Sequence, residues 1–450
     1  ASTFWYHPHS HGLTDYQVSM GLAGMIIVRD TLEAALLLPR TYGVDDIPLI
    51  LQTKAIVNGQ IAMHTGLDSV VLVNGASRAL ASLPAQVVRL RCLNGASERT
   101  FMLGFDNGMT FHVIGTDGGL LAAPVPRTRL QLMPGERVEL LVDLTSLQGS
   151  TFHLMAYNSE LADGIIGGPL VGDGITILDG YAENALNGAD FPLLSFAVGA
   201  PTADPVMSIP TTLVPTGPYA ESDVDNTRNF VFEPQGTGAM ELIEGPFTMN
   251  GAVFNMNVIN ETVELGATEI WAFVNNTMVG HPIHMHDIQF NILDRNGLAP
   301  EDWESGWKDV VYVPAMGSAR VITRFEDFAD PEMPYMFHCH LLMHEDEGMM
   351  GQFVVVDPSG MDEAAKDRTP LLMWPQPWSS GPLSLRVRDL QGTFAISLVD
   401  ASARNVYQAS AQFLNGRASI HPPALGPGAY ILRMAGPAEQ VFSTKLIVQP

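Results

Sequence analysis

Residues 335–351, YMFHCHLLMHEDEGMMG, carry four potential metal ligands, His338, Cys339, His340 and His344, with Met349 behind them. In an extended strand over 335–341, successive side chains point to opposite faces. His338 and His340 then share one face and Cys339 takes the other. One strand can therefore feed two metal sites. His344 and Met349, five and ten residues past the cysteine, can loop back to its side. Thiolate, imidazole and a weak axial thioether are the ligand types of a blue-copper electron-transfer centre. Such a centre needs a second imidazole.

A candidate lies upstream in HPIHMHD, residues 281–287. His284 and His286 are two apart and share a strand face, whereas His281, ahead of Pro282, can serve a different site. A lone histidine is more often a satisfied or exposed side chain than a ligand. Here six of the thirteen histidines fall into two short windows, one of which also holds a cysteine.

These two windows resemble the third and fourth copper motifs of the multicopper oxidases, the laccase-like family. The likeness extends to GWKDVVYV (306–313) and to the whole of HCHLLMHEDEGMMG, and covers residues 1 to about 357. It is nearest to the bacterial three-domain branch of bilirubin oxidases and cuprous oxidases. FWYHPHSHG (4–12) resembles the family's second copper motif, with His7 and His9 at strand spacing. His11 continues that alternation but falls outside the family pattern. Trp5 and Tyr6 are expected to pack in the wall.

The resemblance implies a type 1 copper on His281, Cys339, His344 and Met349. It implies a type 2 copper on His284, and a type 3 pair with His7 and His340 on one ion and His9, His286 and His338 on the other. The reaction implied is four one-electron oxidations coupled to reduction of O2 to two waters. Electrons would pass from Cys339 through backbone to His338 and His340. Glu345 matches the acidic residue that relatives use for proton delivery, a general-acid role; a hydrogen-bond acceptor orienting a histidine is the other reading. Asp309 is expected to contact a type 1 ligand or the substrate, against a plain surface carboxylate. Asp287 stands where relatives commonly have Gly. The family's four coppers use eight histidines, and six are found here. The missing His-x-His pair lies upstream of residue 1 in relatives, so a separate N-terminal segment is expected to supply it; otherwise the chain retains only the blue-copper half.

The elements that must position these residues follow from composition and repeats. A length of 450 residues suggests about three domains. Abundant Gly and Pro suit all-β modules with many turns. GLAGMIIVRD (21–30) can be laid over GMMGQFVVVD (348–357), which marks the last strands of equivalent modules. In the first copy Pro8 replaces Cys339 and Leu22 replaces Met349, so that module keeps cluster ligands and lacks a blue-copper site of its own. The expected fold is all-β: tandem cupredoxin-like Greek-key β-sandwich domains plus a small C-terminal β-sandwich. The divisions are 1–45 (remainder of domain 1 and connector), 46–200 (domain 2), 201–357 (linker and domain 3) and 358–450 (linker and C-terminal sandwich). Domain 2 carries no ligand cluster and is expected to act as spacer and wall, with His112 and His153 structural and Cys92 an inert core residue. Residues 159–190 form a loop read as either a lid or a surface insertion. The region 370–380 is read as a linker.

Cuprous oxidases of the family place Asp and Met four and two residues before the first histidine of the third motif; here those positions hold Thr277 and Val279. Met240, Met249, Met256 and Met278 are read as core or gap-filling residues. The donor is therefore expected to be a phenol or other small aromatic reductant. A cuprous or other metal oxidase is the alternative, and a copper-free cupredoxin scaffold or electron-transfer fragment is the alternative of another class. The net charge of −25 argues against nucleic acid. No apolar run reaches the ~18 residues needed to span a membrane. An exported protein is expected, periplasmic, cell-surface or secreted. The C-terminal region resembles the sorting domain of the type nine secretion system through its Pro-x-Pro start, its Gly-Ala-Tyr strand and LysLeuIleVal near the end.

Overall fold

The computed structural model describes residues 1–62, 68–172, 180–215, 217–357, 371–375, 377–387, 390–400, 404–436 and 441–449. It divides into two compact units, Ala1–Val356 and Asp357–Pro450. Both are built of β-sheets, with short helices in the first.

The first unit opens on a two-stranded antiparallel ribbon, Ser2–Tyr6 with Gly24–Val28. An eight-stranded sheet follows, with Arg137–Asp143, Val87–Asn94 and Asp46–Val57 at its centre. A five-stranded sheet built around Phe101–Phe105, Thr151–Tyr157 and Asp190–Gly199 accompanies it. Thr151–Tyr157 alternates between buried and open positions, the period-2 pattern of a strand with one covered face. Val87–Asn94 is buried at every position. Its two arginines are therefore matched internally: Arg89 donates to Glu139 and Glu33, and Arg91 to Asp46. Buried charges persist only when paired in this way.

Two further five-stranded sheets enclose an aromatic core of Phe230, Trp271, Phe273, Phe337 and Phe353. One has the order Phe247–Met249, Asn226–Pro234, Thr268–Asn275, Ser318–Arg324, Phe290–Arg295. The other has the order Glu261–Glu264, Met350–Val356, Asp330–Cys339, His281–Met285, Val310–Val313. Each fully buried ring contributes roughly 1.5–3 kcal/mol of apolar transfer, which is what holds the ligand-bearing strands in register.

The repeat read from the sequence reappears in three dimensions. Tyr6 stands opposite Gly24, and Phe337 stands opposite Gly351. In both pairs the ring lies over the glycine: an added Cβ would meet Tyr6 at 2.3 Å and Phe337 at 2.5 Å. After each ring comes a His-x-His pair, His7/His9 and His338/His340. The short helices Thr14–Ser19 and Leu342–Asp346 follow the two pairs. The Asp346 carboxylate accepts the backbone N–H groups of Thr14 and Asp15 at 3.0 and 2.9 Å, tying the first copy to the second.

Two readings of the sequence change. The region 370–380 is more than a linker: Leu371 and Trp378 lie in the core of the second unit, and Leu372–Trp374 is a strand there. The described part of 159–190 is packed: Ile166, Val171 and Tyr181 enter the aromatic core, and Gly280 N–H donates to the Gly164 carbonyl at 2.8 Å. Residues 173–179 of that loop lie outside the described residues. The second unit pairs a three-stranded with a four-stranded sheet, in which Gly428–Ala435 and Val441–Val448 form a hairpin.

Candidate metal centre

Antiparallel register places Cys339 opposite Ile283 and His338 opposite His284. Alternation along Asp330–Cys339 sends the thiol to one side and His338 to the other. On the thiol side, Cys339 Sγ lies 3.5 Å from His281 Nδ1 and 3.8 Å from His344 Nδ1, and the two nitrogens are 3.3 Å apart. All three residues are buried. Met349 is buried beside them. Its carbonyl accepts from Cys339 N–H at 3.0 Å, and its own N–H donates to the His344 carbonyl at 2.8 Å.

The outer nitrogens of both histidines are held. His281 Nε2 lies 2.7 Å from Thr277 Oγ1, and His344 Nε2 lies 3.2 Å from the Ile243 carbonyl. A carbonyl can only accept, so His344 carries its proton on Nε2 and turns the Nδ1 lone pair toward the thiol. Thr277 can impose the same tautomer on His281. The Leu341 N–H points at Sγ from 3.4 Å, a contact that favours a thiolate. Burial, with Glu345 and Glu98 acting in the same direction, raises the Cys339 thiol well above its ordinary range. It also takes His344 down to about 3 and His281 far down. Neutral imidazoles around a thiol that only a cation would deprotonate form a donor set suited to a soft metal ion.

The opposite side collects His7, His9, His284, His286, His338 and His340. His9 Nε2 and His286 Nε2 each lie 3.2 Å from His338 Nε2. His338 Nδ1 donates to the Cys339 carbonyl at 3.0 Å, which leaves its Nε2 as a lone pair. A proton or a cation is required where such lone pairs converge. His7 Nδ1 donates to the Pro8 carbonyl at 2.9 Å and His284 Nδ1 to the Asp309 carbonyl at 2.8 Å, so both keep Nε2 free. The His340 ring sits 5.5 Å from that of His7 and 5.8 Å from that of His284. Both of its nitrogens are buried without a hydrogen-bond partner. Orphaned buried nitrogens of this kind call for a ligand. Burial lowers His7 to about 4 and drives His286 and His340 far down, so their lone pairs are available at neutral pH.

Glu345 is buried beside the histidine set. Its Oε2 lies 3.1 Å from His338 Nδ1, out of line for the hydrogen bond that Cys339 takes, and Oε1 lies 3.5 Å from His9 Nδ1. Burial would raise this carboxyl, but His338, then His9 and Thr14, hold it at about 2. Burial would likewise lower His338, and Glu345 raises it instead.

Asp309 departs from its expected place. It lies on the histidine side, touching His284 through its carbonyl and, at 3.5 Å, its Oδ1. Among the described residues it makes no contact with His281, Cys339 or His344. It is also no surface carboxylate, being buried against the Arg137 guanidinium, which outweighs the effect of burial and holds its carboxyl well below the usual range. Asp287 has φ 73°, a left-handed conformation that glycine adopts freely and aspartate tolerates. Met249 is buried, whereas Met256 is 61 % exposed and is neither core nor gap-filling. His153 pairs with Asp106, and among the described residues neither it nor His112 joins a cluster. Cys92 is fully buried, its thiol pushed up to about 12 and inert. Trp5 stacks 4.2 Å from His7 and 5.1 Å from His340, so it walls the cluster, while Tyr6 stays exposed.

The sequence profile of the multicopper oxidases matches residues 219–359 and 1–33. A cell division protein FtsP from Xenorhabdus nematophila is 30% identical over 369 residues, covering 80% of this chain and 71% of that protein. A laccase from Bacillus stratosphericus is 28% identical over 389 residues, covering 78% and 70%. Among solved structures, a bacterial laccase-like multicopper oxidase CueO from Ochrobactrum sp., with oxidase activity towards lignin model compounds, aligns with a TM-score of 0.68 at 34% identity, covering 79% and 77%. McoA from Aquifex aeolicus aligns with a TM-score of 0.67 at 30% identity, covering 79% and 76%.

Proposed function

Because the chain belongs to the multicopper oxidase family, we propose that it couples one-electron oxidation of phenolic or other small aromatic donors to reduction of O2 to water. The observation that carries this reading is the single strand that gives its thiol to one buried donor set and its flanking imidazoles to another. Bound copper would supply one-electron transfer at the first set and O2 reduction at the second. We assign the type 1 ion to His281, Cys339, His344 and Met349, and type 2 to His284. Type 3 falls to His7 with His340 and to His9 with His286 and His338. Ions at four positions need imidazoles beyond these six; a preceding His-x-His segment is the proposed source.

The chain's own groups have separable tasks. Thr277 and the Ile243 carbonyl fix the orientation of His281 and His344. The backbone joining Cys339 to His338 and His340 is the covalent path between the sets. Four electrons require four protons per O2. Glu345, in reach of His9 and His338, is the carboxylate that would relay protons to the histidine set. The modules 1–45, 46–200 and 201–357 are proposed as cupredoxin domains one to three, with 358–450 as a sorting-like domain of an exported protein. Among the described residues no helix is long and apolar enough to cross a membrane.

The likeness to a protein named for cell division supports a second reading, in which this chain is a scaffold and not an oxidase. The intact donor sets argue against it. Reconstitution with copper followed by O2 uptake with a phenol, compared with Cu(I) as donor, tests the proposal. Phenol-driven uptake that disappears in Cys339→Ser supports it; absence of bound copper favours the scaffold, and a preference for Cu(I) favours a metal oxidase.

A further inference from the structure

Among its described residues the middle module gives no ligand to either donor set, yet its strand Arg137–Asp143 begins with a side chain bonded to segments that flank the histidine set. Arg137 is buried, and all five of its N–H donors are used. Nε donates to the Thr3 carbonyl at 3.0 Å. Nη1 donates to the Gly135 carbonyl at 3.0 Å and to Asp309 Oδ1 at 2.7 Å. Nη2 donates to Asp309 Oδ2 at 2.6 Å and to the Asp117 carbonyl at 3.1 Å.

Three of these partners lead directly to candidate ligands. Thr3 belongs to the strand Ser2–Tyr6, which runs straight into His7 and His9. Gly135, at φ +84°, lies so near His340 that an added Cβ would sit 2.6 Å from the ring. Asp309 accepts from His284 Nδ1 through its carbonyl. We infer that Arg137 is a positioning residue that sets the spacing of the His7/His9, His284 and His340 segments from a strand that carries none of these histidines. A planar guanidinium with fixed donor directions can do this; an ammonium with three rotating donors cannot hold five acceptors in one plane. The backbone N–H of the same residue donates to Asp117 Oδ1 at 2.8 Å, and Asp117 pairs in turn with Lys308 at 3.0 Å, so the frame around the guanidinium is itself fixed.

This inference rests on the reading that the six histidines hold copper, and the test separates the two. The full chain and Arg137→Lys are reconstituted with copper. Affinity is measured by chelator competition, non-blue copper by electron paramagnetic resonance, and the thiolate centre by its visible absorption. Arg137→Lys is expected to bind non-blue copper ~10–100-fold more weakly, the range for losing an outer-shell partner, with the visible band unchanged. The double variant Arg137→Gln/Asp309→Asn, which leaves no unpaired buried charge, is expected to show the same selective loss. Unchanged non-blue copper in both variants overturns the inference, as does loss of both signals together, which marks a general structural role. A parent chain without non-blue copper overturns the underlying reading, and the inference with it.

Discussion

Thr277→Val removes one hydroxyl from behind His281 and keeps the side-chain shape. The hydroxyl oxygen lies 2.7 Å from Nε2 of a fully buried imidazole, and it also donates to the Val279 carbonyl at 3.0 Å. Without it, the Nε2 proton has no partner, a penalty of about 1–3 kcal/mol. The imidazole can then shift its proton to Nδ1, the nitrogen that faces Cys339 and would bind copper. Metal affinity should fall ~10–100-fold, or about 1.4–2.8 kcal/mol. Chelator competition, monitored through the thiolate–copper absorption, measures this. Thr277→Ser keeps the oxygen and should recover most of the affinity. Parental affinity in Thr277→Val would refute the claim that the threonine sets the tautomer of His281.

Other perturbations give distinct outcomes. Glu345→Gln should lower O2 turnover by ~10²–10⁴-fold, the usual range for a proton-transfer group, while copper content stays constant. Gly351→Ala drives a Cβ into the buried Phe337 ring and should cost about 1–3 kcal/mol in denaturant unfolding. Gly24→Ala meets the 61 % exposed Tyr6 ring, which can swing away, and should cost less than about 1 kcal/mol. Burial takes the Lys54 ammonium down to about 8 despite Asp15 and Asp68. The unfolded chain therefore binds the extra proton between pH ~8 and ~10.4, and stability should rise across that window. Lys54→Met should stabilise the protein by about 1 kcal/mol at pH 7, after losing the bond to the Val18 carbonyl, and this advantage should vanish above pH ~10.5.

What the sequence revealed was whatever lies close along the chain. The alternation of His338, Cys339 and His340 needs only strand geometry, and the matched glycines at 24 and 351 mark the repeat without any structure. Residues that act across the fold gave no such signal. Thr277, read as a departure from cuprous oxidases, turns out to hold His281 from four positions away. Ile243 contributes a carbonyl, which no side-chain motif can advertise. Asp309 was noticed for its neighbours in the sequence, yet only tertiary packing shows that it turns to His284 and Arg137. Arg137 gave no signal of its own, because its five acceptors come from four separate stretches of the chain. Met256, read as core or gap-filling, is exposed instead, because apolar composition alone does not report burial.

Anomalous diffraction at the copper edge, from crystals of the copper-loaded chain, bears most directly on the claim that one strand feeds two sites. One peak is expected bounded by Cys339 Sγ, His281 Nδ1 and His344 Nδ1, and a second across the strand, at the Nε2 atoms of His9, His286 and His338. Copper on only one face of that strand, or bound away from both, would contradict the claim.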